Sequence, residues 1–199
     1  MRAFTLLALL FVIGTLPAFA DIVNGGFEDP NIGVFYRTVY GGDSTGIPGW
    51  LVTGDSVDIV NTVEGPSWAH TGRQAIDLAG TPGPGGVEQS IDTILGTYYT
   101  FSFWASSNGG PYPGGLLVGW KGVTIDTVDT PAQGTWERHA YTVVGTGGPT
   151  LFSLSTPIST NQGPLVDDVN VHVPEPGSLW GLGAGLALFL GLVLRPRSA

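Results

Sequence analysis

The chain of 199 residues contains no cysteine. Disulfides, thiolate zinc sites and a cysteine nucleophile are thereby excluded, so stability has to come from packing or from a metal held without sulfur. Basic residues are also scarce. Arg37, Arg73, Lys121 and Arg138 are the only ones between residues 21 and 173, against 15 acidic residues in that span. A surface of that sign repels phosphate backbones and argues against nucleic acid as a partner. Asn-x-Ser/Thr acceptors are missing. No interior stretch keeps a 3.6-residue apolar period, and no long repeat recurs.

What is abundant is glycine, with 32 residues, and proline, with 15, alongside serine and threonine. Short β-type runs stand between these breakers: "WLVTG", "SVDIV", "RQAIDLAG", "GVEQSID", "TYYTFSFWA", "LLVGW", "GVTIDTV", "TWERHAYTVV", "TLFSLS" and "LVDDVNVHV". Several alternate with period 2, which predicts an all-β sandwich in a single domain over residues 21–173. In residues 97–105 the alternation puts Tyr99, Phe101, Phe103 and Ala105 on a core face and Thr100, Ser102 and Trp104 on a polar one. The run "TWERHAYTVV" leaves its buried face open. The Gly/Pro-rich stretches 80–86 and 106–115 are expected to be rim loops.

The two ends read differently. Arg2, the apolar run to Leu16 and the small-x-small box Ala18-Phe19-Ala20 predict a signal peptide over residues 1–20, removed by signal peptidase. At the other end, residues 174–199 carry Pro174-Glu175-Pro176, an apolar segment at 179–194 and a basic end with Arg195 and Arg197. Sixteen residues make a helix of about 24 Å, short for a hydrocarbon core of about 30 Å. Trp180 suits the interface and the arginines suit the cytoplasmic side. A single transmembrane helix is expected there, with the bulk of the chain outside. The two prolines hold the backbone extended just before it, as a protease-like cleft requires.

The segments "DIVNGGFEDP", "IPGWLVTGDSVDIVNT", "GRQAIDLAGTPGPGGVEQSI", "YYTFSFWASSNG" and "LVDDVNV" together resemble the choice-of-anchor C family, which is similar to the plant cell-wall DUF642 family. The resemblance implies a galactose-binding-like jelly-roll β-sandwich. The tail resembles a PEP-CTERM sorting signal, which implies an exosortase acting near Pro174-Glu175-Pro176 in a Gram-negative bacterium that makes exopolysaccharide. On that reading the protein passes through the inner membrane to the cell surface or extracellular matrix.

Two constellations stand out as sites. Glu28 near the mature start and Asp167-Asp168 near its end would converge if the first and last strands lie side by side. Hard oxygen donors there suit calcium rather than zinc. The alternative is that these acids bond to loop amides. Asp167 shares parity with Val169 and Val171, so it is expected on the apolar side. Resemblance to calcium-bearing jelly rolls implies side chains from Glu28 and Asp167, with carbonyls from Gly26 and from the turn of His70 to Arg73. The second constellation is aromatic. Sugars dock on flat side chains beside polar groups. Trp50 is expected in the core, while Trp104, projecting from a polar face, is the candidate carbohydrate platform.

Other chemistry finds less support. "GDSTG" around Ser44 superficially resembles an esterase nucleophile block, but Asp168 and His172 are four apart rather than three, and a turn is the simpler reading. His70, His139 and His172 lack a zinc spacing. The leading expectation is a non-enzymatic exported protein with a carbohydrate-binding domain, whose partners are extracellular polysaccharide and, before processing, the membrane. The alternatives are a secreted esterase or glycan hydrolase on a jelly-roll scaffold, and an ectodomain that stays anchored in the membrane.

Overall fold

A computed structural model describes residues 22–62 and 68–173. The expected signal helix in 1–20, the sorting motif at 174–176 and the expected transmembrane helix at 179–194 lie outside the described residues. Eleven strands follow in chain order: β1 (Tyr36–Tyr40), β2 (Leu51–Gly54), β3 (Ser56–Asn61), β4 (Gln74–Asp77), β5 (Gly85–Thr93), β6 (Tyr98–Ser107), β7 (Tyr112–Trp120), β8 (Val123–Thr130), β9 (Glu137–Val144), β10 (Gly148–Ser155) and β11 (Pro164–His172). They form a six-stranded sheet in the order β1-β3-β4-β11-β6-β9 and a five-stranded sheet in the order β2-β5-β10-β7-β8. Every pairing is antiparallel. The result is the expected all-β jelly-roll sandwich. Among the described residues no helix is long and apolar enough to cross a membrane.

The two sheets enclose one core. Phe27, Trp50, Tyr99, Phe101, Phe103, Phe152, Ile59, Ile76, Leu116 and Leu154 are fully buried there. The period-2 reading of β6 holds, with Tyr99, Phe101, Phe103 and Ala105 inward and Trp104 on the opposite face. β9, whose sequence did not decide its face, turns His139 and Tyr141 toward Phe103. Trp50 is in the core as expected, and its indole Nε1 donates to the Asn24 carbonyl at 3.1 Å.

Three local readings need correction. β1 was not among the expected runs, because "YRTVY" is an edge strand with one buried residue, Val39. The stretch 106–115 is not all loop: β6 continues to Ser107 and β7 begins at Tyr112, with the register slipping between Tyr112 and Leu116 to absorb Pro113-Gly114. In β11 the expected parity fails. The register against β6 breaks between Asp167 and Asn170, and Asp168 adopts φ 48°. The extra residue of this bulge flips the alternation, so Asp167, opposite Trp104, faces away from the core while Val169 and Val171 stay in it.

Candidate functional site

The outer face of the six-stranded sheet is not a solvated polar face. Val60 on β3, Ala75 on β4 and Leu165 on β11 pack there with Trp68 and the half-buried Trp136. Phe35 lies on Trp68 with ring centroids 4.4 Å apart, and it remains exposed, as does its neighbour Tyr36. This second cluster carries polar atoms without satisfaction: Trp68 Nε1, Trp136 Nε1 and Ser106 Oγ are buried and have no hydrogen-bond partner among the described residues. A buried donor without an acceptor costs about 1–3 kcal/mol.

Beside the cluster opens a cavity of about 260 Å³, lined among others by Phe35, Tyr36, Asp58, Trp68, Asn108 and Gln162. The strand register explains its floor. Asp58 on β3 stands directly opposite Asp77 on β4, on the same face, where cross-strand Cβ atoms lie about 5 Å apart. Both residues are buried, at 5% and 1% exposure. Asp58 accepts from Thr38 Oγ1 at 2.6 Å and Thr81 Oγ1 at 3.3 Å. Asp77 accepts from Asn108 Nδ2 at 2.8 Å and the Ala79 amide at 2.9 Å. Burial pushes the Asp77 carboxyl up to about 7, with the neighbouring Asp58 adding to the shift and the bonds from Asn108, Ala79 and Gly163 opposing it.

At the bulged part of the sheet, three carboxylates grip one turn. Asp167 Oδ2 accepts from the amides of His70 at 2.8 Å and Thr71 at 3.2 Å, and Asp167 Oδ1 accepts from the Asp168 amide at 2.7 Å. Glu28 Oε1 accepts from the amides of Arg73 at 2.7 Å and Gln74 at 2.8 Å. Gly72, at φ 62°, lets Glu28 in, because a Cβ at that position would stand 2.3 Å from Glu28 Oε1. Asp168 holds the same turn by its side chain, with Oδ2 2.6 Å from His70 Nδ1 and Oδ1 accepting from Thr71 Oγ1 at 2.8 Å. The Asp167 carboxyl is fully buried, and burial followed by the Asp168 charge pushes it up to about 8 against the pull of its three amide donors.

The residues expected as calcium donors therefore meet around the turn of residues 70–74. The N-terminal segment and the last strand do come together, through the Val169 amide on the Gly25 carbonyl at 2.9 Å. A Cβ on Gly26 would stand 3.6 Å from Asp168 Oδ1. The side chains bond to loop amides, which is the alternative the sequence left open. Among the described residues no group of three or more acidic or histidine side chains is placed to hold a metal. A calcium ion at this turn would depend on the main-chain carbonyls of Gly26, His70 and Arg73 beside the Glu28 and Asp167 carboxylates.

Trp104 is half-buried on the outer face, and His70 stacks on it with centroids 3.8 Å apart and planes 15° apart. One face of the Trp104 ring is thus occupied, and Trp136 meets the His70 ring edge-on at 5.7 Å. The esterase constellation does not form. Asp168 is bonded to His70 and Thr71, His172 Nδ1 stands 3.0 Å from Asn170 Oδ1, and Ser44 lies with Trp50, Leu51 and Glu88. The Asp43 side chain closes the "GDSTG" stretch as a turn, accepting from the amides of Thr45 and Gly46 at 2.7 and 2.9 Å. The Asp58–Asp77 pair and the Phe35–Tyr36 rim were missed in the sequence. Asp58 alternates with Val57 and Ile59, whereas Asp77 shares its phase with Ala75, and nothing along the chain says that these two strands are neighbours in that register.

Comparison with known proteins agrees with this architecture. Residues 158 in number align at 29% identity with Halomucin of Haloquadratum walsbyi, covering 75% of this chain and 2% of that protein. A cyclase from Fischerella sp. TAU, solved in complex with 4-(1H-indol-3-yl)butan-2-one, superposes with TM-score 0.55 at 18% identity, covering 79% of this chain and 99% of that one. That likeness concerns the fold alone. A CBM61 module in complex with β-1,4-galactotriose superposes at TM-score 0.49 and 19% identity over 76% of this chain and 96% of its own, a likeness too slight to carry an argument. The family model described as protein of unknown function (DUF642) matches residues 20–172, so the chain belongs to the DUF642 family.

Proposed function

We propose that this is an exported, non-catalytic surface or matrix protein whose sandwich binds carbohydrate in the cavity between Phe35, Tyr36, Trp68 and Asp58. The observation that carries this reading is the cavity's lining. Exposed aromatic rings stand beside Asn108, Gln162 and a carboxylate, with an indole N–H that has no partner among the described residues in the adjoining wall. A sugar supplies apolar C–H faces for the rings and hydroxyls for the polar groups. Trp104, the platform expected from the sequence, serves this face by holding His70. Glycan-array binding by the chain tests the proposal. Phe35→Ala and Tyr36→Ala are expected to weaken the selected glycan by about tenfold each. Undiminished binding by the double variant would refute it.

Two further parts of the reading rest on the sequence. Exosortase cleavage near Pro174-Glu175-Pro176 is supported by the extended motif, the apolar stretch and the terminal arginines. Intact mass of the mature protein checks it: loss of everything after the motif agrees, and retention of Arg197 points to a permanent anchor. Structural calcium at the clamped turn is supported by the oxygen-rich donors of Glu28, Asp167 and the neighbouring carbonyls. A native-state ligand raises the unfolding midpoint, by about 2.7 kcal/mol of stability at a hundredfold excess over its dissociation constant. A chelator is expected to lower Tm, and calcium to restore it. An unchanged Tm, with no calcium in protein prepared without chelator, would remove the ion.

A further inference from the structure

We propose that the Asp58 cavity takes a cationic amino sugar, a glycan unit bearing a free ammonium group, with that group on the Asp58 carboxylate and its ring against Phe35, Tyr36 and Trp68. This rests on the carbohydrate-binding reading above and adds the charge of the sugar to it.

The first support is an imbalance of charge. Asp58 and Asp77 face each other across β3 and β4, both nearly excluded from water. Their partners are neutral: two threonine hydroxyls, an asparagine amide and two main-chain amides. No lysine or arginine lines the cavity among the described residues. Buried carboxylates without a basic partner are costly, and a cation in the adjoining space offsets that cost.

The second support is the kind of cation the walls suit. A calcium ion asks for six to eight oxygen ligands, whereas this cavity offers a single carboxylate, with Thr81, Asn108, Asn161 and Gln162 as neutral donors beside aromatic rings. Aromatic faces attract organic ammonium groups through the ring quadrupole. The third support is independent of the acids. Trp68 is 7% exposed and lines the cavity, and its indole Nε1 has no acceptor among the described residues. A bound sugar offers oxygens as acceptors to a wall of this kind, which a bare inorganic cation does not. A uronic acid would bring a second negative charge to Asp58, and a neutral sugar would leave the Asp58 charge uncompensated.

The test is calorimetric titration of the full chain, in mild detergent at about pH 6, below the range of an ordinary amine. The ligands are a glucosamine oligosaccharide, its N-acetylated counterpart and the glucose oligosaccharide of the same linkage and length. Only the group at one carbon differs among the three. We expect the amine to bind at least about tenfold more tightly than either neutral form, and Asp58→Asn to abolish that preference. Equal or tighter binding of a neutral form overturns the inference and leaves the carbohydrate reading standing. So does failure of all three ligands while another glycan binds. Failure of every glycan overturns both. A preference that survives Asp58→Asn also overturns it, since the acidic surface as a whole would then be the source. The wild-type comparison stands even if the variant does not fold.

Discussion

A carboxyl that faces another carboxyl across a strand pair, with both out of water, keeps its proton to higher pH than one in solvent. Asp77 is such a group, pushed up to about 7. Its folded value lies above that of the unfolded chain, about 3.9, so the sign of the linkage is set. Below about pH 4 the group is protonated in both states. Between there and about 7 the unfolded chain releases the proton while the folded state keeps it, and stability falls as pH rises through that window. The slope due to this one group is at most about 1.4 kcal/mol per pH unit. Asp77→Asn is expected to have a shallower fall of Tm from acid to neutral pH than the wild type, measured by thermal unfolding across the window. Identical slopes would contradict the account. Neither Asp77 in "QAID" nor Asp58 in "SVDIV" stood out in the sequence. Their pairing depends on β3 and β4 lying side by side, which no local pattern encodes.

At the scale of elements, the bulge in β11 does the most to build the site. One extra residue moves Asp167 from the expected core face to the outer face, where it caps the turn of residues 70–74. The parity reading failed there because alternation along a strand is only as good as its unbroken ladder. The N-terminal segment then docks against the bulge, with the Val169 amide on the Gly25 carbonyl and the Trp50 indole on the Asn24 carbonyl. Gly25 has no room for a side chain, since a Cβ would stand 2.1 Å from the Val169 carbonyl oxygen. Gly25→Ala is expected to push this segment off β11 and to cost about 1–3 kcal/mol, read by denaturant unfolding, whereas an unchanged midpoint would show that the segment does not contribute. The central strands were legible from composition and period. The edge strand β1 was not, since it shows a single buried residue, and the Pro-Gly entry to β7 was not, since a bulge lets breakers sit inside a strand.

At the scale of the molecule, two sheets with one shared core leave the outer face of the six-stranded sheet free to carry a second, smaller cluster and the cavity beside it. The absence of cysteine and the shortage of bases were visible from the start, and both reappear in the fold. Carboxylates close the turns that disulfides would otherwise brace, and the cavity holds acids without cations of its own. Trp68 belongs to that cavity, while Trp50 and Trp120 have their indole N–H groups bonded inside the sandwich to Asn24 and Val144. These indoles are separate reporters of where a sugar binds. The most direct measurement is a titration of the isotopically labelled protein with the glycan the array selects, followed by the indole N–H resonances. The account predicts that the Trp68 signal moves with saturation while those of Trp50 and Trp120 stay in place. Saturable movement of the Trp50 signal with Trp68 unmoved would place the sugar on the other side of the sandwich and contradict it.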